Sequence, residues 1–314
     1  MILLRPCLLL ASGFLASPVM AGDLAFITSQ NGNAVSVVDL EQGQVLASAD
    51  VPDAPAPVAY DPGHGRAYVI AADTGRLHVL NKAAETVDTA ELGEGAFGLA
   101  VAPEGGLFVT NWFGATLTRL DADLTPLWQV PTGAAPAGVA VSDDGRRVAT
   151  ADRDADAVSI FDAKTGQRLH QVATAGSHPF GITFEGGRFF TADVQSDSVS
   201  VIDAETGRLI GSIPTGSHPY GVAFASGRGF VTNQYHASLT VFDASTFEVL
   251  AEVDIGDYPE GIAALPDGSG VVIANWDSDE IVTLDAVSLE IRHRIEMPAG
   301  PRAFGQFTGR QVPQ

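Results

Sequence analysis

The sequence predicts an all-β protein, a seven-bladed β-propeller with four antiparallel strands in each blade. Three observations predict this fold. A short glycine motif recurs about every forty residues, each repeat contains four strand-like segments, and an incomplete repeat stands at each end of the chain. A period of this length across a whole chain indicates an array of equivalent supersecondary units. Four strands per unit are typical of a propeller blade.

The glycine motif lies in the first strand-like segment of each unit. The earliest copy, APVAY, places Pro57 at the glycine position. The later copies are FGLAV at Gly98, AGVAV at Gly138, FGITF at Gly181, YGVAF at Gly221, EGIAA at Gly261 and FGQFT at Gly305. Successive copies are 41, 40, 43, 40, 40 and 44 residues apart, which predicts seven equivalent positions around one ring.

Three further strands follow the glycine motif in each unit. The second strand follows a polar turn and reads, for example, LFVTN or GFVTN, and the third alternates as in AVSIFD and SVSVID. A turn such as DAKTG leads to the fourth strand, because Asp can bond its own backbone and Gly supplies a positive φ angle. Alternation with period two, and no helical period, predicts strands throughout.

The seventh blade is predicted to combine both ends of the chain. The segment LAFITSQNGNAVSVVDLEQGQVLASADV supplies a second, a third and a fourth strand without a first. The segment PRAFGQFTG supplies a first strand with nothing after it. Joining the two segments closes the ring and leaves no exposed sheet edge at the seam.

The first 21 residues are predicted to be a secretory signal peptide. The segment MILLRPCLLLASGFLASPVMA has one positive charge, Arg5, followed by a short apolar run and small residues up to a cleavage site after Ala21. The domain assignment is therefore a signal peptide over 1–21 and a single propeller over 22–314. Cleavage removes Cys7, the only cysteine, and predicts a periplasmic protein without disulfides.

The net charge of −21 at pH 7 restricts the expected partners. Such a field repels nucleic acid and anionic lipid surfaces, so neither nucleic-acid binding nor membrane insertion is expected. A small ligand or a periplasmic redox protein is the expected partner. A monomer is expected, because a closed propeller needs no second copy.

The repeat resembles that of a known family. The FVTN second strands, the P-x-G-V first strands and the VSVID third strands resemble the YVTN-repeat, YncE-like family of exported seven-bladed propellers. The resemblance covers essentially the whole chain after residue 21. It implies the fold strongly and an activity weakly, since similar propellers serve as lactonases, as lyases, or as subunits that hold quinone or haem redox centres.

One position of the repeat varies in a way that indicates a binding site. Three residues before the glycine, consecutive units carry small residues and then large polar ones. The small residues are Ala54, Gly95 and Ala135. The large polar residues are His178, His218, Tyr258 and Arg302. This position lies in the connection from a fourth strand to the next first strand, so the four large side chains are expected at the mouth of the central channel.

The loops between second and third strands are expected on the same face, because strand direction alternates. They add side chains that can stack on a ligand or hydrogen-bond to it. These residues are Trp112, Arg153, Gln195, Tyr235, Trp276 and Asp277. Together with the four channel-mouth residues they predict a polar ligand-binding pocket, because pockets in this kind of fold form where loops converge.

Three imidazoles, His178, His218 and His236, raise the question of a metal. Imidazole suits zinc and copper, so a transition metal is the cofactor that these residues indicate. Axial ligation of a haem and acid–base chemistry on a ring-opening substrate are the alternatives, as is a purely structural role in a turn before proline. No catalytic residue is assigned.

The function expected from these observations is that of an exported ligand-binding or protein-interaction scaffold. Two alternatives stay open at this point. One is an enzyme of the lactone hydrolase or lyase type that uses histidine or a metal. The other is an accessory role in a quinoprotein or cytochrome redox system, which rests on the resemblance alone.

Overall fold

A computed structural model describes residues 22–310, and it forms a ring of seven four-stranded antiparallel sheets. The predicted seven-bladed all-β propeller is therefore confirmed. Two short 3-10 turns, η1 (Arg153–Ala155) and η2 (Gln234–His236), are the helical elements of this range. No helix within residues 22–310 is long and apolar enough to cross a membrane. The predicted signal peptide lies outside the described residues.

The strands follow one another blade by blade. The blade that contains the seam consists of β1 (Asp23–Ser29), β2 (Ala34–Asp39), β3 (Gln44–Asp50) and β28 (Thr308–Arg310). The second blade consists of β4 (Pro55–Asp61), β5 (Arg66–Ala71), β6 (Arg76–Leu80) and β7 (Thr86–Glu91). The third blade consists of β8 (Ala96–Val101), β9 (Leu107–Asn111), β10 (Thr116–Leu120) and β11 (Pro126–Pro131). The fourth blade consists of β12 (Pro136–Val141), β13 (Arg147–Asp152), β14 (Ala157–Asp162) and β15 (Arg168–Ala173). The fifth blade consists of β16 (Pro179–Glu185), β17 (Arg188–Asp193), β18 (Ser198–Asp203) and β19 (Leu209–Pro214). The sixth blade consists of β20 (Pro219–Ala225), β21 (Arg228–Asn233), β22 (Ser238–Asp243) and β23 (Val249–Asp254). The seventh blade consists of β24 (Pro259–Ala264), β25 (Gly270–Asn275), β26 (Glu280–Asp285) and β27 (Ile291–Glu296).

Burial changes from the inner to the outer strand of every blade. The first strands contact each other around the axis, and β4 is buried at every position. The fourth strands form the rim, and β7 is exposed at nearly every position. Between the inner and the outer strands, apolar side chains of neighbouring blades pack face to face. Ile160 and Phe189, from two such blades, belong to one buried cluster. The hydrophobic core is therefore a series of layers between blades, since each sheet is covered on both faces.

The seam joins the two ends of the chain as predicted. Strand β28 pairs antiparallel with β1, with Leu24 opposite Gly309, and Arg310 Nε lies 2.8 Å from Asp23 Oδ1. The inner strand of this blade is interrupted, because only an isolated bridge between Ser29 and Pro301 precedes β28. The ring is thus closed by a sheet built from both termini of the described range.

The repeated glycine has a steric cause. A Cβ atom on Gly181 would lie 2.2 Å from the carbonyl oxygen of Tyr220 in the next blade. A Cβ on Gly98 would lie 2.1 Å from the carbonyl oxygen of Ala137, which is the same contact two blades earlier. The first strands approach so closely around the axis that a side chain at this position does not fit. Glycine is the residue that permits such a backbone approach.

Hydrogen bonds tie neighbouring blades together on one face of the ring. In each of four blades, a side chain in the loop between the second and third strands accepts the backbone N–H of a residue that leads into the next blade. Asp156 Oδ1 accepts from His178 N at 2.8 Å, and Asp197 Oδ1 accepts from His218 N at 2.9 Å. The other two pairs are Asn33 with Ala54 and Asp279 with Gly300. These contacts fix the loops that carry the predicted site.

Candidate functional site

The position before each first strand has a left-handed backbone. The φ angles are 57° at His178, 55° at His218 and 55° at Tyr258. The carbonyl oxygens of these residues accept N–H groups from the loops after the second strands, such as Val194 N to His178 O at 3.0 Å and Trp276 N to Tyr258 O at 2.9 Å. Both sets of connections therefore lie on one face, which we call the loop face. The equivalent residues Ala54, Gly95, Ala135 and Gly300 also have positive φ angles, so this backbone conformation is a feature of the repeat.

Arg302 occupies a different position from the one that the repeat suggests. Gly300, with φ 67°, is the left-handed residue of the seam blade, and its carbonyl oxygen accepts the N–H of Gln30. Pro301 follows it, as Pro179 follows His178. Two extra residues separate Pro301 from the seam glycine, so counting back from that glycine reaches Arg302 instead of Gly300. Arg302 instead directly follows the proline, as Phe180 and Tyr220 do in their blades.

Four rings close the channel beneath the loop face. Phe304 has its centroid 5.2 Å from Phe97, 5.2 Å from Phe180 and 5.6 Å from Tyr220, and these three rings come from different blades. We call this group the aromatic plug. Edge-to-face and tilted pairs at such distances are favourable ring contacts. The channel mouth expected from the sequence is therefore closed by a packed floor of rings, and a ligand that reaches the loop face meets this floor.

A buried polar network lies beside the plug. Arg302 Nε is 2.8 Å from Glu260 Oε2, and its guanidinium also donates to the Tyr220 hydroxyl at 2.8 Å and to Gln30 Oε1 at 2.7 Å. Gln234 donates to the second oxygen of Glu260 at 2.8 Å. Burial raises the pKa of Glu260 to about 7, although the Arg302 charge acts in the opposite direction. This network fixes the floor of the loop face electrostatically as well as sterically.

A continuous row of rings runs along the loop face above this network. His218 stacks on Tyr235 with centroids 3.8 Å apart, Tyr235 lies 5.7 Å from Tyr258, and Tyr258 lies 5.6 Å from Trp276. We call these four residues the aromatic row. Burial, followed by the neighbouring Tyr235 and Glu260, raises the pKa of Tyr258 to about 12, so its hydroxyl stays protonated at neutral pH. Tyr235 is 59% exposed and presents a ring to solvent.

A second group of predicted residues lies on the neighbouring blades. The Arg153 guanidinium lies 4.2 Å from the ring centroid of Trp112, and its Nε donates to Asp154 at 2.6 Å. His178 Nε2 is 4.0 Å from the same Asp154 carboxylate. Trp112 also contacts Phe97 of the plug at 5.4 Å. The charges in this group are already paired, since the Arg153 guanidinium contacts the Asp154 carboxylate.

The remaining predicted residues lie at the edge of the loop face. Gln195 and Asp277 are exposed, and their backbone N–H groups donate hydrogen bonds to Ser177 O and Asp257 O. The structure thus brings His218, Tyr235, Tyr258 and Trp276 together, places Arg302 below them, and leaves Gln195 and Asp277 at the periphery.

The three histidines do not form a metal-ligand group. Within residues 22–310, no three His, Cys, Asp or Glu side chains are arranged to hold a metal ion. His218 is stacked on Tyr235, and its Nδ1 lies 3.0 Å from Ser217 Oγ. His236 faces outward and pairs with Glu252 at 3.2 Å. The expected copper or zinc site on His178, His218 and His236 therefore has no geometric basis here, because each imidazole has a separate neighbourhood.

Several residues of the site were missed by the sequence analysis. The four plug residues and Glu260 each stand directly before a repeat glycine. The motif copies FGLAV, FGITF, YGVAF, EGIAA and FGQFT begin with these side chains. The sequence therefore contained a signal for these residues, because a residue at the start of an innermost strand lies near the axis of the ring.

A buried carboxylate near the loop face gives a testable pH dependence. Asp193 ends β17 where the equivalent residue of the next blade is Asn233, and burial raises the pKa of Asp193 to about 7 despite hydrogen bonds from Ser200 and the Gly176 N–H. The folded pKa of Asp193 lies above its unfolded value. The contribution of Asp193 to stability is therefore fully present below about pH 4 and is lost as pH rises through 7.

We therefore expect Asp193→Asn to stabilise the protein at pH 8 by about 2 kcal/mol and to have little effect at pH 4. Urea unfolding at the two pH values measures the difference. Asp203→Asn, in an exposed turn where hydrogen bonds lower the pKa, is the control and is expected to destabilise at pH 8. Equal unfolding free energies of Asp193→Asn and the parent at pH 8 would contradict the assignment.

The fold and this loop face define a repeat-built, seven-bladed β-propeller whose axis is closed by packed rings. Residues 118–269, just under half of the chain, match the sequence model described as the YNCE-like beta-propeller. The resemblance found in the repeats is therefore confirmed over that segment. None of the curated proteins compared with the chain matches it.

Solved structures with the same architecture are similar to the chain at low sequence identity. A protein of unknown function from Desulfotomaculum acetoxidans has a TM-score of 0.77 and 14% identity, covering 93% of this chain and 99% of that one. Kuenenia stuttgartiensis hydrazine synthase has a TM-score of 0.75 and 16% identity, covering 90% and 100%. The dihydro-heme d1 dehydrogenase NirN in complex with DHE has a TM-score of 0.67 and 17% identity, covering 91% and 74%. At these identities the similarity shows the fold alone.

Proposed function

We propose that the protein is a non-catalytic binding protein whose loop face holds a small molecule with a flat ring system. The observation that carries this proposal is the aromatic row of His218, Tyr235, Tyr258 and Trp276, in which each ring contacts the next within 5.7 Å. Flat rings stack on such surfaces, and each aromatic contact adds about 0.5–1.5 kcal/mol beyond the area it buries.

The surroundings of the row support binding rather than packing. An aromatic ring that only fills space is buried, whereas Tyr235 is 59% exposed between two ring neighbours. The row comes from two adjacent blades, those of β20–β23 and β24–β27. The Arg302–Glu260 network beneath it holds the floor rigid. A rigid, partly exposed aromatic surface needs little reorganisation when a ligand binds, so the cost of ordering is low.

Flat probes of different charge test this proposal. We expect at least one of riboflavin, menadione and haemin to bind in equilibrium dialysis and to quench the fluorescence of Trp276. Tyr235→Ala is expected to weaken that binding by about 10-fold, because it removes the central exposed ring of the row. Phe113→Ala is the matched control, since Phe113 is 77% exposed outside the row.

Two outcomes would contradict the proposal. One is the absence of binding by all three probes. The other is an equal loss of affinity in Tyr235→Ala and Phe113→Ala, which would place the ligand elsewhere or show non-specific adsorption. Tyr235→Phe, which keeps the ring, is expected to bind within about twofold of the parent protein.

We also infer that the protein is exported to the periplasm and acts there as a monomer. The predicted signal peptide over residues 1–21 supports export, and the closed seven-bladed ring supports a monomer. Amino-terminal sequencing of the protein recovered from a bacterial host is expected to begin at Gly22. Sedimentation analysis is expected to give the mass of a single chain.

A further inference from the structure

Charged side chains are divided unevenly between the two faces of the ring. Because strand direction alternates, each arginine or lysine can be assigned to the loop face or to the opposite face, which we call the turn face. The arginines at the loop-face ends of the blades are Arg76, Arg153, Arg294 and Arg302. Both lysines and the other arginines of residues 22–310 stand toward the turn face. The loop face is therefore the face with few positive charges.

The positive charges that the loop face does have are already neutralised. Each of its arginines forms an ion pair with a carboxylate. The pairs are Arg76 with Glu91, Arg153 with Asp154, Arg294 with Glu280 and Arg302 with Glu260. The charges of a close pair largely cancel at a distance, so these arginines offer little attraction to an anion.

The loops that carry the aromatic row add carboxylates and no positive charge. The segments 215–218, 234–237, 255–258 and 276–279 contain no lysine or arginine. Asp257 directly precedes Tyr258, and Asp277 directly follows Trp276. Asp279 lies in the same loop as Asp277, and Asp197 Oδ1 accepts the N–H of His218 at 2.9 Å. In the described part of the chain these four carboxylates are exposed and take part in none of the ion pairs. The row therefore lies in a negative field.

The rings of the aromatic row also have no cation over them. Elsewhere on the loop face the chain supplies one, since the Arg153 guanidinium lies 4.2 Å from the ring centroid of Trp112. At the floor, the Arg302 guanidinium lies 5.7 Å from the ring centroid of Tyr220. Among residues 22–310, no guanidinium or ammonium group lies over a ring of the row. The faces of Trp and Tyr rings attract cations, so the exposed rings of the row are open to a cation from outside.

We propose that the flat ligand of the aromatic row is a cation, an aromatic ring system with a permanent positive charge. This inference rests on the proposed function, because it takes the row as the binding site and adds the charge of the ligand. The ligand stacks on Tyr235, which is 59% exposed, and its charge is attracted by Asp257 and Asp277. The net charge of −21 favours the approach of a cation over that of an anion of the same shape.

Three probes with the same ring system and different charges test the inference. The probes are N-methylacridinium, a cation; acridine, which is uncharged at pH 8; and acridine-9-carboxylate, an anion. Equilibrium dialysis at pH 8 measures the affinity of the full-length protein for each. We expect the cation to bind at least about 10-fold more tightly than acridine, and the anion to bind more weakly than acridine. Tyr235→Ala is expected to weaken binding of the cation by about 10-fold.

A pair of double variants tests whether the carboxylates beside the row provide the selectivity. Asp257→Asn, Asp277→Asn keeps the shape of both side chains and is expected to weaken binding of the cation by at least about fivefold, while acridine binds within about twofold of the parent. The control, Asp123→Asn, Asp143→Asn, removes the same charge from two exposed turns of the turn face. It is expected to bind the cation within about twofold of the parent, because solvent and salt screen charges at that distance.

The outcomes separate this inference from the proposed function. If the cation and acridine bind equally and both lose affinity in Tyr235→Ala, the row binds flat rings whatever their charge; the proposed function then stands and this inference fails. Equal losses of cation affinity in the two double variants would also overturn it, because the net charge of the protein would then be the cause. Tight binding of the cation that Tyr235→Ala leaves unchanged would place the cation elsewhere and overturn it as well. If none of the three probes binds, both proposals fail.

Discussion

Replacing Arg302 by Met is expected to destabilise the folded protein by about 3–5 kcal/mol, the usual cost of leaving a buried charge without its partner. Arg302 is 21% exposed and Glu260 only 4%, and the two groups are 2.8 Å apart. The substitution also leaves the Tyr220 hydroxyl and Gln30 without their donor. Urea unfolding at pH 8 measures the change in the free energy of unfolding.

The loss is expected to depend on pH in a defined direction. Glu260 already has a folded pKa of about 7, above its ordinary value, and without Arg302 that pKa rises further. A group with a raised folded pKa stabilises fully below its unfolded pKa and loses that contribution as pH rises. The deficit of Arg302→Met should therefore be smaller at pH 5 than at pH 8. The double variant Arg302→Met, Glu260→Met should recover much of the stability, because no unpaired charge is left. A deficit that is independent of pH and persists in the double variant would exclude the ion pair as its cause.

Replacing Gly181 by Ala is expected to cost about 3 kcal/mol, at the upper end of what overpacking costs. The added Cβ would lie 2.2 Å from the carbonyl oxygen of Tyr220, and a backbone atom cannot move aside as the end of a flexible side chain does. The contact lies between the inner strands of two blades, so the strain opens the ring locally. Thermal unfolding followed by circular dichroism measures the loss.

A glycine in open space provides the control for this substitution. Nothing lies within 4 Å of a Cβ built on Gly186, whose φ angle of 54° asparagine tolerates. Gly186→Asn is expected to change stability by less than about 0.5 kcal/mol, as surface substitutions usually do. Comparable losses at Gly181 and Gly186 would show that general glycine flexibility, rather than the close approach of neighbouring blades, explains the repeat.

The fold was predictable because the repeat allows the chain to be compared with itself. The period of the repeat, the four strands in each unit and the complementary segments at the two ends together predict seven blades and the seam. The structure has seven four-stranded blades and a seam of this kind. The loop face was predictable for the same reason, since alternating strand direction places both sets of connections on one side. His218, Tyr235, Tyr258 and Trp276 do come together there.

The interior of the ring was less predictable, because it depends on how side chains from different blades meet at the axis. Counting back from the glycine misplaced Arg302, since two additional residues stand between Pro301 and the seam glycine. The aromatic plug and the Glu260 ion pair were missed, although their residues stand beside the glycine in the sequence. The histidines were over-interpreted, because equal sequence settings on adjacent blades do not bring imidazoles within reach of one metal ion.

Building one blade from both termini also has a consequence for the order of assembly. Phe304, which contacts rings from three blades, and β28, which completes the sheet of β1, are both contributed after residue 300. The other six blades contain strands β4 to β27 and do not need this segment, whereas the sheet of β1, β2 and β3 stays incomplete until β28 is present. We therefore expect ring closure to wait for residues 301–310, and we expect a circular permutant that places them directly before Asp23 to build this blade from contiguous sequence and to close earlier.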